Sequence, residues 1–411
     1  MVTAGLIKKI FQGASMHRWN DQIRPIEFTE MDKQAHKMVI AWLLGRIEEE
    51  ISGSNIQWEA VIEGGFFEYL ERLVLTDIKP PVFHRLVERV EIRKKLNEFV
   101  LSKLSPEIGG LTGDFFERFR AYLAGEDLAV ERRIIRAAHY FATHWEFQII
   151  YNYSPRLYGL EETREAIERE LVRHYELECV REMVKYRNFI DLCGQLRFQR
   201  RWGQSERIPR TSVLGHMLVV ALLSYLFCRN FSPCPKRLYN DFFAGLFHDL
   251  PEVLTRDIIS PVKRAVDELD AVLKEYERSQ LDEKILPQLP TYCRQEIVYF
   301  TRAEFENKVV LEGVERTEED RPDISRRGVI AREFNRDEYR PLDGRLLKIC
   351  DDLSAFVEAT LSIDYGISSE QLLEGREHLY RKYRDSLVGN FPLKPVLDSL
   401  MGLNVKPVNE R

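Results

Sequence analysis

Residues 240–258 read NDFFAGLFHDLPEVLTRDI, placing His248 and Asp249 side by side in an apolar run, with Glu252 and Asp257 close behind. A carboxylate beside Leu246, Phe247 and Leu250 is costly to bury unless it is paired, and a metal ion is one partner that imidazole and carboxylate can share. Two further groups of the right type stand elsewhere: His216 opens an apolar helix after Pro-Arg-Thr-Ser, and Asp351 lies inside RLLKICDDLSAF. Two imidazoles and two carboxylates from three separate elements suit one divalent cation, and the donor set admits Mn, Co, Fe, Ni, Zn or Mg. Such a site, with positions open to water and substrate, offsets charge developing on a phosphate ester and activates water for attack on phosphorus. On a regular helix His248 and Asp249 point about 100° apart, so both reach one ion only at a kink or a tight turn. Asp352 competes with Asp351 for the fourth place. Taken alone, each of these side chains has an ordinary packing role open to it, and the expectation of a metal site rests on their joint occurrence.

The elements that must position these groups read as helices. In 37–51, 132–150 and the long polar run 160–192, apolar residues recur at spacings of three and four with charges between them, while alternating strand patterns are scarce. The expected fold class is all-α. A shift of 180 residues lays His36 on His216 and, without a gap, residues 64–82 on 244–262; Gly65, Phe67, Leu70, Asp77, Ile78, Pro81 and Val82 then meet identical residues. With some insertion, RIIRAAHYFATHWE (133–146) also resembles RLLKICDDLSAFVE (345–358). A register held over this distance predicts two tandem copies of one helical unit, residues 1–165 and 166–411. The second contains about 32 extra residues near 303–340, read as a surface insertion, with a lid over the site as the alternative. In the first copy Glu68, Tyr69, Arg72 and His139 fall on His248, Asp249, Glu252 and Asp351. A tyrosine and an arginine there are poor partners for a cation, so copy one is expected to be catalytically dead and packed on copy two as an internal pseudo-dimer. A second ion on His36, Glu68 and His139 is the alternative.

The order of a lone His, a His-Asp pair and a distant Asp on a later helix resembles the HD-domain superfamily of metal-dependent phosphohydrolases, over roughly 190–400 and in degraded form over 5–155. A narrower likeness is to the bacterial HD-domain 5'-deoxynucleotidases, in which an Arg-Trp pair precedes the first ligand His by about fifteen residues, as Arg201 and Trp202 precede His216. The spacing of Asp249, Glu252 and Asp257 also follows that family's middle motif. The resemblance implies that His216, His248, Asp249 and Asp351 hold the metal. It also implies that Arg201 binds the phosphate, Trp202 crowds the sugar 2' position, Glu252 transfers a proton and Asp257 holds sugar or water. Leu214-Gly215 departs from the Ser-Glu usual before that His. Independently, arginine offers a planar fork to phosphate oxygens, and Glu252 lies about one turn from the His-Asp pair. Arg200 competes with Arg201 for the phosphate, and Trp202 for a place in the core. The expected substrate is a nucleoside 5'-monophosphate, in its deoxy form; another small or cyclic phosphate ester, or a nucleotide-binding regulator without turnover, are the alternatives.

Composition bounds the partners. The 411-residue chain is 44% apolar and 31% charged with net charge −6, which disfavours a general nucleic-acid or anionic-membrane surface. Its longest apolar stretch, Leu218–Cys228, is short for a bilayer span, and the N-terminus lacks a signal-peptide layout. Six cysteines without a CxxC pair read as reduced thiols of a cytoplasmic protein, with Cys350 a packing residue. Further homo-oligomerisation is left open.

Overall fold

The computed structural model describes residues 2–76, 78, 80–125, 129–256, 269–326 and 328–403. The fold is all-α; its strands among the described residues are three short antiparallel pairs. Two helices, one buried over most of its length and one throughout, form its axis. Helix α1 (Glu30–Ser52) starts at Thr29, whose side chain accepts from the Asp32 amide, and stops at Gly53, which supplies the left-handed φ of 65°. It packs on α2 (Trp58–Val74) and α3 (Val130–Tyr153). Helix α4 (Leu160–His174) lays Leu160, Ile167 and Leu171 on Phe28, Phe147 and Ile150, so the expected boundary at 165/166 falls inside a helix that packs with the first half. The run 160–192 is not one helix: it breaks after His174 and resumes at Glu178–Met183 and Arg187–Gln195.

Helix α5 (Val213–Cys228) is buried at every residue and packs on α1, on α6 (Pro235–Phe247) and on α7 (Gly344–Asp364), itself covered by α8 (Glu370–Tyr383). A helix apolar all round belongs in a core or in a membrane. The stretch Val213–Phe231 is long and apolar enough to span a bilayer, with mean hydropathy 1.5, but 89% of it is buried inside the protein. It is therefore the central core helix. One apolar cluster runs through both halves, joining Val39, Trp42 and Leu70 of the first to Val219, Phe247 and Leu353 of the second. In each half one helix packs against two others, α1 against α2 and α3, and α5 against α6 and α7.

The extra segment is an ordered annex. The hairpin Val309–Leu311/Val314–Arg316 and helix Val329–Glu333 enclose a small core of Val309, Ile324, Val329, Ile330 and Phe334. Asn335 and Asp337 accept from the amides of Cys234 and Lys236, at the start of α6. His248 follows the far end of that helix, about 20 Å away at 1.5 Å per residue. The small core of the annex is thus placed at the start of α6, while the first residues of the segment reach the predicted site, where Phe305 faces the His248 ring at 6.0 Å between centroids.

Candidate metal centre

His216 sits in the first turn of α5, where Ser212 caps the helix by accepting from the Gly215 amide. Helix α6 ends at Phe247, and His248-Asp249-Leu250 continue as a turn closed by the Leu250 amide on the Phe247 carbonyl and the Glu252 amide on the Asp249 carbonyl. This turn lets adjacent side chains face the same point, which a continuing helix would forbid. Donor atoms of His216, His248 and Asp249 all lie within 4.8 Å of one another. His248 Nε2 is 3.1 Å and His216 Nε2 is 3.6 Å from Asp249 Oδ2. Asp351, on α7, stands at the edge of this trio, its Oδ1 3.1 Å from His216 Nε2 and its Oδ2 held 2.7 Å from Lys348 Nζ. Asp352 turns to Lys382 and Tyr383, each 2.6 Å away, so of the two aspartates it is Asp351 that faces the histidines.

The donor set fits a divalent cation. His248 Nδ1 lies 2.9 Å from the Gly245 carbonyl, to which it must donate, and His216 Nδ1 lies 3.0 Å from Ser354 Oγ. Both rings are thereby oriented through one nitrogen, leaving the other for ligation. Both Nε2 atoms are buried and make no hydrogen bond of acceptable geometry. Buried imidazole nitrogens aimed at carboxylates are what an N/O metal site requires. Burial pushes the Asp249 carboxyl up, but His248, His216 and Arg201 together hold it at about 2. Burial likewise opposes charge on His248, yet Asp249 prevails and its pKa rises. His216 goes the other way, lowered by burial and by Arg201.

The remaining predicted residues surround the trio. Arg201 reaches Asp249 Oδ2 with Nη1 at 3.8 Å and Glu358 Oε2 with Nε at 3.4 Å. Arg200 is exposed and its backbone bridges Ser212. Trp202 donates its indole N–H to Glu358 Oε2 at 2.9 Å, and its ring stands against Gly375 of α8. It is therefore anchored as well as placed beside Arg201. Glu252 is buried, with its carbonyl accepting from Gln199 at 2.9 Å. Asp257 lies outside the described residues. Three groups had not been anticipated. Glu358, fully buried, lies two turns beyond Asp351 on the same face of α7, a spacing that could have revealed it. Burial pushes its carboxyl up, and Arg207 and Arg201 bring it down to about 2. Lys348, three residues before Asp351, was open to the same argument. Glu304, raised by burial and lying near His248 and Asp249, sits at the root of the annex and carries no periodic signal.

The corresponding places in the first half hold lysine amino groups, and burial pushes that of Lys33 well below the ordinary lysine pKa. Lys37 Nζ is 3.0 Å from Glu68 Oε2 and Lys33 Nζ is 2.6 Å from His139 Nδ1, with both lysines wholly buried. His36 is spent on the Ile190 carbonyl and on Arg197, and Tyr69 on the Ile10 carbonyl. The groups of the alternative second site, His36, Glu68 and His139, are thus each engaged by a lysine or by protein hydrogen bonds. An Arg-Trp pair stands on a buried glutamate here too: Arg18 Nε and the Trp19 indole both donate to Glu146, at 2.8 and 2.9 Å. Trp19 and Trp202 share a left-handed backbone, φ 56° and 58°.

No curated protein matches the chain. The HD domain family matches residues 193–380, which contain all four predicted metal ligands. The likeness, over somewhat less than half of the chain, is to the HD domain, the domain of a superfamily of metal-dependent phosphohydrolases.

Proposed function

We propose that the protein hydrolyses the phosphomonoester of nucleoside 5'-monophosphates, with deoxynucleosides preferred, and that its N-terminal half is a degenerate copy of the HD unit that has lost the chemistry. The observation that carries the first part is Arg201, whose guanidinium lies 3.8 Å from Asp249 Oδ2 while Trp202 is fixed beside it. A phosphate held by Arg201 would lie against the His216, His248 and Asp249 cluster. When bound there, a divalent ion supplies the positive charge that polarises a phosphoryl oxygen and acidifies water. Arg201 offers its fork to the other phosphoryl oxygens. Glu252, buried one turn on from Asp249, carries the proton to the leaving sugar oxygen. Asp257 keeps its expected part in holding sugar or water. The shared Arg-Trp-Glu arm and the shared helix triads support the duplication. The same reading makes the protein cytoplasmic, with a small phosphate ester rather than nucleic acid or membrane as its partner.

The test is phosphate release from ribo- and deoxynucleoside 5'-monophosphates, 3'-monophosphates and cyclic nucleotides after EDTA treatment and readdition of single metals. Release from deoxy-5'-monophosphates above all others is expected. Equal release from ribo- and deoxy-forms would remove the role given to Trp202. Absence of release in a protein that binds metal would favour the regulator.

A further inference from the structure

The loop that carries Arg201 and Trp202 occurs twice in this molecule, and the two versions differ in charge. Both loops start with the Arg-Trp pair anchored on a buried glutamate, and both place an arginine five residues after the tryptophan, Arg24 and Arg207. In the first half Asp21 stands two residues and Glu27 eight residues after the tryptophan; in the second those places are Gln204 and Arg210. The first loop, with Arg18, Asp21, Arg24 and Glu27, is balanced. The second, with Arg201, Glu206, Arg207 and Arg210, has a surplus of two positive charges. The surplus therefore belongs to the loop beside the metal centre and is not demanded by the loop's shape.

That loop also encloses a cavity, lined among others by Arg200, Arg201, Trp202, Gln204, Arg207 and Arg210. Arg207 is a built-in wall: it is 2% exposed, donates to Thr211 Oγ1 at 2.6 Å and lies with its guanidinium near the Trp202 ring. Arg210 is the movable wall. Its pairing with Glu206 is solvent-exposed on both sides, and such pairs hold weakly enough to yield to a ligand. Arg201 lines the cavity and also reaches Asp249, so cavity and metal centre adjoin through one guanidinium.

We propose that the natural substrate carries a second anionic group, a further phosphate, which this cavity receives while the ester phosphate lies at the metal centre. The proposal rests on the phosphohydrolase reading and names its substrate class. The test compares kcat/KM for a nucleoside 5'-monophosphate with that for the matching 3',5'-bisphosphate and 5'-diphosphate, in the metal-loaded full chain. A bisphosphate or diphosphate preferred by about tenfold or more, mainly through KM, is expected from one added charge-assisted contact. Arg210→Glu, which copies the charge of Glu27, should bring the ratio near one, while Arg210→Lys should keep most of it. Equal values for all three esters in the unmodified protein overturn the proposal and leave the phosphohydrolase standing. No release from any ester sinks the phosphohydrolase instead. Calorimetric titration with inorganic pyrophosphate then decides the cavity: binding abolished by Arg210→Glu supports it, and no binding overturns it.

Discussion

His216 and His248 each spend Nδ1 on a neighbour, Ser354 or Gly245, and so aim Nε2 at carboxylates. Losing either imidazole leaves Asp249 and Asp351 with less compensation in a buried place, a cost that metal can no longer offset. His216→Ala and Asp249→Ala are therefore expected to lose the bound ion, read by elemental analysis, together with turnover. Glu252→Gln should behave differently: it keeps size and burial but loses the proton, so metal stays while kcat falls by about 10²–10⁴. An ion lost along with turnover would instead place Glu252 among the ligands. Glu358→Gln tests the anchor. The indole and guanidinium it holds would drift, and since Arg201 is read as a binding group, the rise should fall on KM more than on kcat.

The helices set the spacing of these side chains through two close approaches. Gly245 of α6 crosses α5 so tightly that a Cβ would lie 2.7 Å from Ala221 Cα, a backbone atom that cannot step aside. Gly215, one residue before His216, would place a Cβ 2.9 Å from Asp32 Oδ1 and 3.1 Å from Met31 Sδ, both on side chains of α1. Gly245→Ala is thus expected to cost more than Gly215→Ala, roughly 2–3 against 1 kcal/mol, because overpacking is worst where nothing can yield. Denaturant midpoints of the two variants check the order. Gly215 also accounts for a departure visible in the sequence: the residue usual there in the resembling family would strike the first half, whose Asp32 accepts from the Ser212 hydroxyl. Helical periodicity, the His-Asp pair and the distant Asp351 were legible because each leaves a local pattern. The turn at His248 was legible only as a requirement. Lys33 and Lys37 were not legible as site-fillers, because a lysine in an amphipathic run looks like a solvated one until its neighbours from α2 and α3 are known. The pairing of Asp352 with Lys382 and Tyr383 depends on α8 and could not be read from one helix.

Across the whole molecule the two halves fill corresponding places with different side chains. The second gathers imidazole and carboxylate in one place, and the first sets the amino groups of Lys33 and Lys37 against His139 and Glu68. One ion per chain is the expected stoichiometry, and two would contradict this account. The first half should carry a pH signature of its own at Glu71. Burial there, helped by the nearby Glu68 and opposed by Arg72, Arg132 and Lys37, pushes its carboxyl up to about 7 from an ordinary 4.5. Between those values the folded chain holds a proton that the unfolded chain has released. Stability contributed by this group is therefore present at low pH and declines as pH rises towards 7, by an amount on the order of 2 kcal/mol. Asp249, Glu30 and Glu358, all held near 2, act with the opposite sign and only at more acid pH. Glu71→Gln removes the titration while keeping the shape. The difference in unfolding free energy between variant and parent should accordingly grow in the variant's favour from pH 5 to pH 8. A difference that stays flat over that range would mean that the Glu71 carboxyl is already ionised in the folded protein.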